Sequence, residues 1–178
     1  MTKKFSITAL AVSSLLAMGS AQATTTDLGP DSPGSPLSFG ALAAPGPFTD
    51  IFTFSLPANG GSGYSVTNFT LLPGVYNTML ASLVLVYNPD GILSNADDLP
   101  LASSTMMMPG GGSLALAFPS SPAGFYYLTV MGIANGQLGG IYNGAISVAV
   151  VPEPETYALM LGGLGLIGFM AARRRRQD

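Results

Sequence analysis

The stretch FTDIFTFSL, residues 48–56, predicts the fold because apolar side chains occupy alternate positions along it. The residues of one parity are Phe48, Phe52, Phe54 and Leu56. Successive side chains of a β-strand point to opposite faces of a sheet, so this stretch forms a strand with one buried face. Asp50 has the same parity, which directs a carboxylate towards the core.

Turn sequences separate several further strand-like segments. These segments are residues 64–72, 81–87, 113–118, 125–132 and 141–151. Between two of them lies Asn88-Pro89-Asp90-Gly91, in which Pro presets φ, Asn and Asp bond nearby backbone, and Gly accepts a positive φ. Six or seven short strands without a helix predict an all-β domain over residues 48–151. We expect a single antiparallel, jelly-roll-like β-sandwich with consecutive strands joined as hairpins.

Two stretches lack a clear period. Residues 24–47 are rich in Pro, Gly, Ser and Ala and are predicted to form a flexible lead-in, with one short strand at 37–42. Residues 102–112 are uncharged and contain Met106, Met107 and Met108, which predicts a mobile loop. Three adjacent methionines cannot all face one core, so at least one is expected to be exposed, where it could form a contact surface.

The N-terminus has the pattern of a secretory signal peptide over residues 1–23. Lys3 and Lys4 precede an apolar segment at 5–18, and Ala21 and Ala23 form an A-x-A cleavage site. The predicted partners are the Sec machinery and signal peptidase, and the mature chain would begin at Thr24. A first transmembrane helix is the alternative, although the apolar segment is short for one.

The C-terminal stretch VPEPETYALMLGGLGLIGFMAARRRRQD, residues 151–178, has three parts in a fixed order. Pro152, Glu153 and Pro154 form an extended, accessible segment. The apolar run 157–172 would rise about 24 Å as a helix, against a hydrocarbon core of about 30 Å, and is predicted as a short transmembrane helix. A buried core helix with a basic tail is the alternative. The run is followed by four arginines, Arg173, Arg174, Arg175 and Arg176, which would keep the C-terminus in the cytoplasm.

This order of motif, apolar span and arginines resembles the PEP-CTERM sorting signal of exopolysaccharide-forming Gram-negative bacteria, and would make residues 152–178 a sorting signal. The resemblance implies export, transient anchoring in the inner membrane, cleavage near Pro152–Pro154 by an exosortase, and release to the cell surface or beyond. In addition, Phe48-Thr49-Asp50-Ile51-Phe52 matches the FxDxF pattern of one group of such proteins, whose biochemical function is unknown.

The body also resembles bacterial pre-peptidase C-terminal domains. The similarity rests on D-x-F-x-F, LVLVYNPDG, SPAGFYYLTVMG and GGIYNGAISVAV, in this order between residues 50 and 150. It implies a secreted β-sandwich, of a family in which some members bind calcium or polysaccharide.

Composition excludes several classes of function. The basic residues all lie in the two terminal segments, and residues 24–151 contain six aspartates and no Lys, Arg, His, Cys or Glu. A basic patch for nucleic acid is therefore impossible. Ser-His-Asp, Cys-His and Ser-Lys catalytic sites and His-bound zinc are impossible for the same reason. Paired aspartates acting on a glycoside are disfavoured, since the chain has no Trp to hold a sugar ring. We predict that the protein is not an enzyme.

Calcium is the cofactor that the sequence supports best, because it prefers several oxygen ligands. The candidate ligands are Asp50, Asn88, Asp90, Asn95, Asp97 and Asp98. Three alternatives stay open. Asn88 and Asp90 could only shape the turn, Asp97 and Asp98 could be solvated charges, and Asp50 could bond backbone N–H groups of a loop instead of sharing a cation with the Asp90 loop.

Two parts of the sequence could carry glycan. Asn68-Phe69-Thr70 fits the N-x-T acceptor pattern, and the Ser/Thr-rich residues 24–38 could carry O-linked glycan. We expect an exported, exosortase-processed surface or matrix protein with a structural or adhesive role in an exopolysaccharide or biofilm layer. The alternative is a calcium-dependent carbohydrate-binding module. Its sugar-binding residues would be several tyrosines exposed on one face, chosen from Tyr64, Tyr76, Tyr126, Tyr127 and Tyr142. Strand alternation can equally bury these tyrosines.

Overall fold

A computed structural model describes residues 22–106, 112–149 and 154–174. In these segments the chain forms nine β-strands and one α-helix. The elements are β1 Gln22–Pro30, β2 Leu37–Ala43, β3 Gly46–Leu56, β4 Asn59–Phe69, β5 Thr78–Asn88, β6 Leu99–Thr105, β7 Ser113–Ser121, β8 Gly124–Ala134, β9 Gly140–Ala149 and α1 Pro154–Arg174.

The strands form two sheets, which confirms the predicted β-sandwich. One sheet has the order β1-β3-β8-β5-β6 and the other the order β2-β9-β4-β7. All neighbours are antiparallel except β1 and β3, which run parallel. The buried side chains of both sheets meet in one hydrophobic cluster, as expected for two sheets stacked face to face.

The predicted run of consecutive hairpins is wrong. Among consecutive strands only β5 and β6 are neighbours in one sheet, and every other step along the chain crosses to the opposite sheet. Alternation along a strand shows which side chains are buried, but both sheets bury the same kind of side chain. The pattern therefore could not distinguish a hairpin from a crossing between sheets.

The alternation predicted for residues 48–56 is confirmed. Phe48, Asp50, Phe52, Phe54 and Leu56 are all buried on β3. Aromatic rings connect the sheets here, since Phe52 lies 4.7 Å from Phe39 and Phe48 stacks on Tyr142 at 5.3 Å, measured between ring centroids. Aromatic pairs prefer particular ring arrangements, so these contacts stabilise the packing of the two sheets beyond the burial of apolar area.

Two loop predictions are corrected by the structure. The supposed flexible lead-in contains β1 and β2, and only its short strand at 37–42 was predicted. β1 is a polar edge strand attached to β3, and most of its side chains are exposed, so it carries no apolar alternation to detect. The predicted loop at 102–112 begins inside β6. Met106 packs against the core, while Met107 and Met108 lie outside the described residues.

The terminal segments are described only in part. The signal-peptide prediction falls largely outside the described residues, although Ala23 lies in β1. Pro152, Glu153, Arg175 and Arg176 are also outside them, whereas Pro154 begins α1 and Arg173 and Arg174 end it. No helix in the described segments has the length and apolar character needed to cross a membrane, so the span predicted at 157–172 is not confirmed.

Candidate functional site

Asp50 lies on the core side of β3, where its side chain is only 3% exposed. Its two carboxylate oxygens accept hydrogen bonds from the hydroxyls of Thr24 on β1 and Tyr142 on β9. Burial raises the pKa of Tyr142 above its ordinary value, and the bond to Asp50 raises it further. Asp50 therefore joins three strands, and neither sequence alternative for it, loop backbone or shared cation, describes this arrangement.

Asp50 is also too far from the other predicted calcium ligands to share an ion with them. Asp50 pairs with Val130 on β8, whereas Asn88 pairs with Phe125. Val130 and Phe125 are five residues apart along β8, so Asp50 and Asn88 are separated by about 17 Å along the strand direction. Asp50 must be removed from the predicted calcium set.

The turn after β5 is shaped by two of the predicted ligands. Asn88 Oδ1 accepts from the backbone N–H of Gly91 at 2.8 Å, and Asp90 Oδ1 accepts from that of Ile92 at 2.8 Å. Asn95 Nδ2 donates to Asp90 Oδ2 at 2.8 Å and fixes the far side of the loop. The alternative in which Asn88 and Asp90 shape the turn is therefore what the structure shows.

The remaining loop residues leave two oxygen atoms without partners. Tyr127 donates its hydroxyl to Asp98 Oδ2 at 2.9 Å, while Asp98 Oδ1 and Asn95 Oδ1 are buried and unpaired within the described residues. Asp97 is exposed. No group of three or more His, Cys, Asp or Glu side chains that could hold a metal occurs among residues 22–106, 112–149 and 154–174.

Four of the five tyrosines proposed for sugar binding are buried. Tyr64, Tyr126, Tyr127 and Tyr142 are at most 7% exposed. The hydroxyls of Tyr64 and Tyr126 are used internally, donating to Ser62 Oγ at 2.9 Å and to the Pro122 carbonyl at 2.8 Å. The hypothesis that these tyrosines form a sugar-binding face is therefore wrong.

An open groove of about 600 Å³ lies between β1 and the loop after β5. Phe125, whose side chain is 57% exposed, lines this groove. Asp27 on β1 and Asp90 in the loop after β5 line its two sides. Asp27 Oδ1 is held at 3.1 Å by both the Gly29 N–H and the Thr53 hydroxyl. The sequence analysis missed Phe125, although its parity is opposite to that of the buried Tyr126.

Asn68 does not offer its amide for glycosylation in the folded chain. Its side chain is half-buried, and Nδ2 donates to the Thr78 carbonyl at 2.6 Å. This nitrogen is the atom to which an N-linked glycan would be attached.

Asp31, which sequence reasoning did not single out, is buried at 4% exposure just after β1. Within the described part of the chain neither of its carboxylate oxygens has a hydrogen-bond partner. Burial raises the pKa of this carboxyl. No sequence signal distinguishes Asp31 from a solvated loop aspartate, because its burial depends on the position of β1 beside β3.

Together these features define a small β-sandwich whose buried polar groups are mostly structural. Residues 150–176 match the PEP-CTERM protein-sorting motif, which confirms the prediction for the tail. This motif marks an exported chain that is anchored transiently and processed by an exosortase. The FxDxF resemblance stays a prediction.

Three solved structures resemble the fold. The pre-peptidase C-terminal domain of a Bacillus anthracis collagenase is 18% identical, with 69% of this chain and 94% of that chain covered and a TM-score of 0.39. CorA, a surface-associated copper-binding protein of Methylomicrobium album BG8, is 10% identical, with coverages of 72% and 100% and a TM-score of 0.40. Secreted copper-binding MopE of Methylococcus capsulatus is 8% identical, with the same coverages and a TM-score of 0.41.

At these identities the likeness concerns the fold alone. No curated protein matches this chain in sequence.

Proposed function

We propose that this protein is a structural or adhesive component of the cell surface or extracellular matrix, with no enzymatic activity of its own. One observation carries the proposal. A sandwich domain with no Lys, Arg, His or Cys is followed by a sorting motif. The domain contains no His, Cys, Lys or Arg, so Ser-His-Asp, Cys-His and Ser-Lys catalytic sites cannot form in it, which supports a non-enzymatic role.

The test is the intact mass of the protein recovered from membrane, surface and medium fractions of its own host. We expect a species that begins at Thr24 and ends near Pro152–Pro154 in the surface or medium fraction. Deleting the gene should weaken the cohesion of the biofilm, and a variant lacking residues 152–178 should not restore it. A chain still ending at Asp178 in every fraction would contradict the processing step.

A second candidate, carbohydrate binding, is supported by the groove beside Phe125. An exposed aromatic ring can stack on the apolar face of a sugar, and fixed carboxylates can accept hydrogen bonds from its hydroxyl groups. Asp27 and Asp90 are both held by backbone N–H groups, so these acceptors are preorganised. Because the domain contains no cation to neutralise an acidic sugar, we expect a neutral or amino-substituted glycan.

Calorimetric titration with neutral, amino-substituted and acidic oligosaccharides tests this candidate. Phe125→Ala should weaken binding at least tenfold, by analogy with aromatic anchors in other interfaces. Ile133→Ala is the matched control, because Ile133 is 46% exposed on the same strand and lies outside the groove. Equal binding by both variants, or a preference for acidic glycans, would contradict the assignment.

A further inference from the structure

Five large apolar side chains are exposed at one end of the sandwich, which we call the leucine end. They are Leu42, Phe69, Leu71, Leu72 and Leu138, each between 47% and 65% exposed. Isolated exposed leucines are common on protein surfaces, whereas a contiguous apolar patch marks a contact site.

Sheet register brings two of them together. Leu42 on β2 and Phe69 on β4 are both directly paired with Ile141 on β9. Side chains paired in register on adjacent strands lie on one face of a sheet, about 5 Å apart. Leu42, Ile141 and Phe69 therefore form an apolar row across three strands.

Backbone hydrogen bonds bring the other three together. The N–H groups of Gln137 and Leu138 donate to the carbonyls of Gly74 and Val75 at 3.0 and 2.9 Å. The Val75 N–H in turn donates to the Leu72 carbonyl at 2.8 Å. The loop after β4, which contains Leu71 and Leu72, is thus fixed beside Leu138.

The backbone conformation of Leu72 independently indicates that this surface is functional. Its φ is 53°, in the left-handed region that Gly and Asn occupy far more readily than Leu. A bulky side chain that is 63% exposed is thus held in an unfavourable backbone conformation. Such conformations concentrate at functional sites.

The distribution of charge favours a second copy of this chain as the partner. Residues 40–48, 67–79 and 131–145, which build the leucine end, contain no charged side chain. The loop after β5, which we call the acidic loop, carries Asp90, Asp97 and Asp98. It lies at the other end of β8, the acidic end, and the 11 residues of β8 correspond to about 34 Å. The domain has six aspartates and no cation, so two copies repel each other except where both lack charge.

We propose that the leucine end binds the leucine end of a second copy of this chain. The contact is symmetric, joins apolar surfaces and keeps the two acidic ends as far apart as possible. β9 ends at the acidic end, where Ala149 pairs with Gly61, so the last described residue of the domain lies away from the contact. The contact does not depend on the function proposed above.

Sedimentation velocity of the full chain in mild detergent tests the proposal. The patch is small compared with a standard interface, so we expect a weak dimer with a Kd on the order of 10–100 µM. Combining Leu72→Asn with Leu138→Gln should raise this Kd at least tenfold. Asn accepts a positive φ, so the substitution at residue 72 does not strain the fold.

The matched control is Ile92→Gln, because Ile92 is 62% exposed in the acidic loop and should not affect the dimer. A chain that stays monomeric at high concentration, or a dimer that all three substitutions affect equally, would overturn the proposal. The second outcome would place self-association elsewhere in the chain.

Cysteine cross-linking tests the orientation, since the chain has no natural cysteine. With a short thiol cross-linker, copies carrying Gln137→Cys should be joined at concentrations that support the dimer, whereas copies carrying Asp97→Cys should not. Efficient cross-linking through residue 97, with none through residue 137, would overturn the head-to-head arrangement even if a dimer forms.

Discussion

The hydroxyl of Tyr142 on β9 donates a hydrogen bond to Oδ2 of Asp50 on β3, and this bond joins the two sheets across the core. The other carboxylate oxygen accepts from Thr24 on the edge strand β1. A buried carboxylate is tolerated only when donors replace water. The residue at the centre of the FxDxF pattern is therefore explained as a structural link between strands.

Asp50→Asn should destabilise the fold by about 1–3 kcal/mol, because an amide offers one acceptor oxygen for two hydroxyl donors. The free energy of unfolding, from urea titration followed by circular dichroism, gives the measurement. Asp97→Asn, at an exposed position, is the control and should change stability by less than about 0.5 kcal/mol.

A double-mutant cycle with Tyr142→Phe separates this bond from general burial. The two substitutions should couple by about 0.5–3 kcal/mol if the bond is important. Strictly additive effects would show that Asp50 and Tyr142 act independently.

Asp31→Asn should have the opposite effect and stabilise the protein at neutral pH by about 1 kcal/mol, because it removes a buried charge that has no hydrogen-bond partner among the described residues. Burial raises the folded-state pKa of this carboxyl, so the stability of the native protein falls as pH rises through that pKa. The gain from the substitution should therefore shrink as the pH falls through the raised folded-state pKa, and it should be lost well below about pH 4, where the carboxyl is protonated in both states. Equal unfolding free energies for the two proteins at neutral pH would contradict this account.

Alkaline pH should destabilise the fold through its buried tyrosines. Burial raises the pKa of Tyr64 to about 12, and burial with a bond to Asp98 raises that of Tyr127 to about 12. Unfolded tyrosines lose their proton near pH 10, so between about pH 10 and 12 the unfolded chain binds fewer protons and stability falls. The absorbance of tyrosinate, recorded with circular dichroism, should show ionisation and unfolding together. Tyr64→Phe should flatten this dependence, and an unchanged slope would argue against it.

Calcium should raise the melting temperature if the loop after β5 binds it. Asn95 Oδ1 and Asp98 Oδ1, which have no hydrogen-bond partner in the described part of the chain, are the groups that a hard cation would satisfy. A ligand that binds only the folded state at 100 times its Kd adds about 2.7 kcal/mol. Differential scanning calorimetry with calcium or chelator measures the shift, and Asp98→Asn should abolish it. Asp50→Asn should retain it, since Asp50 lies outside this loop.

Sequence reasoning succeeded where one local pattern has one structural meaning. The alternation of Phe48, Phe52 and Phe54 identified the buried face of β3, and the tail motif identified the sorting signal. It left the tyrosines undecided between core and surface, because an aromatic residue suits both a core and a sugar-binding surface. It failed for β1, whose strand conformation depends on pairing with β3 rather than on its own polar composition.

The amino-acid sequence by itself determined that this chain is a β-sandwich carrying a sorting motif, and that its domain lacks the side chains for most catalytic chemistry. These conclusions rest on residue type and on spacing along the chain. Only the tertiary structure decided that Asp50 bonds Tyr142, that Asp31 is buried, and that five apolar side chains are exposed at one end. Strand register and sheet order bring together residues up to 92 positions apart, and periodicity within a strand contains no information about such pairings.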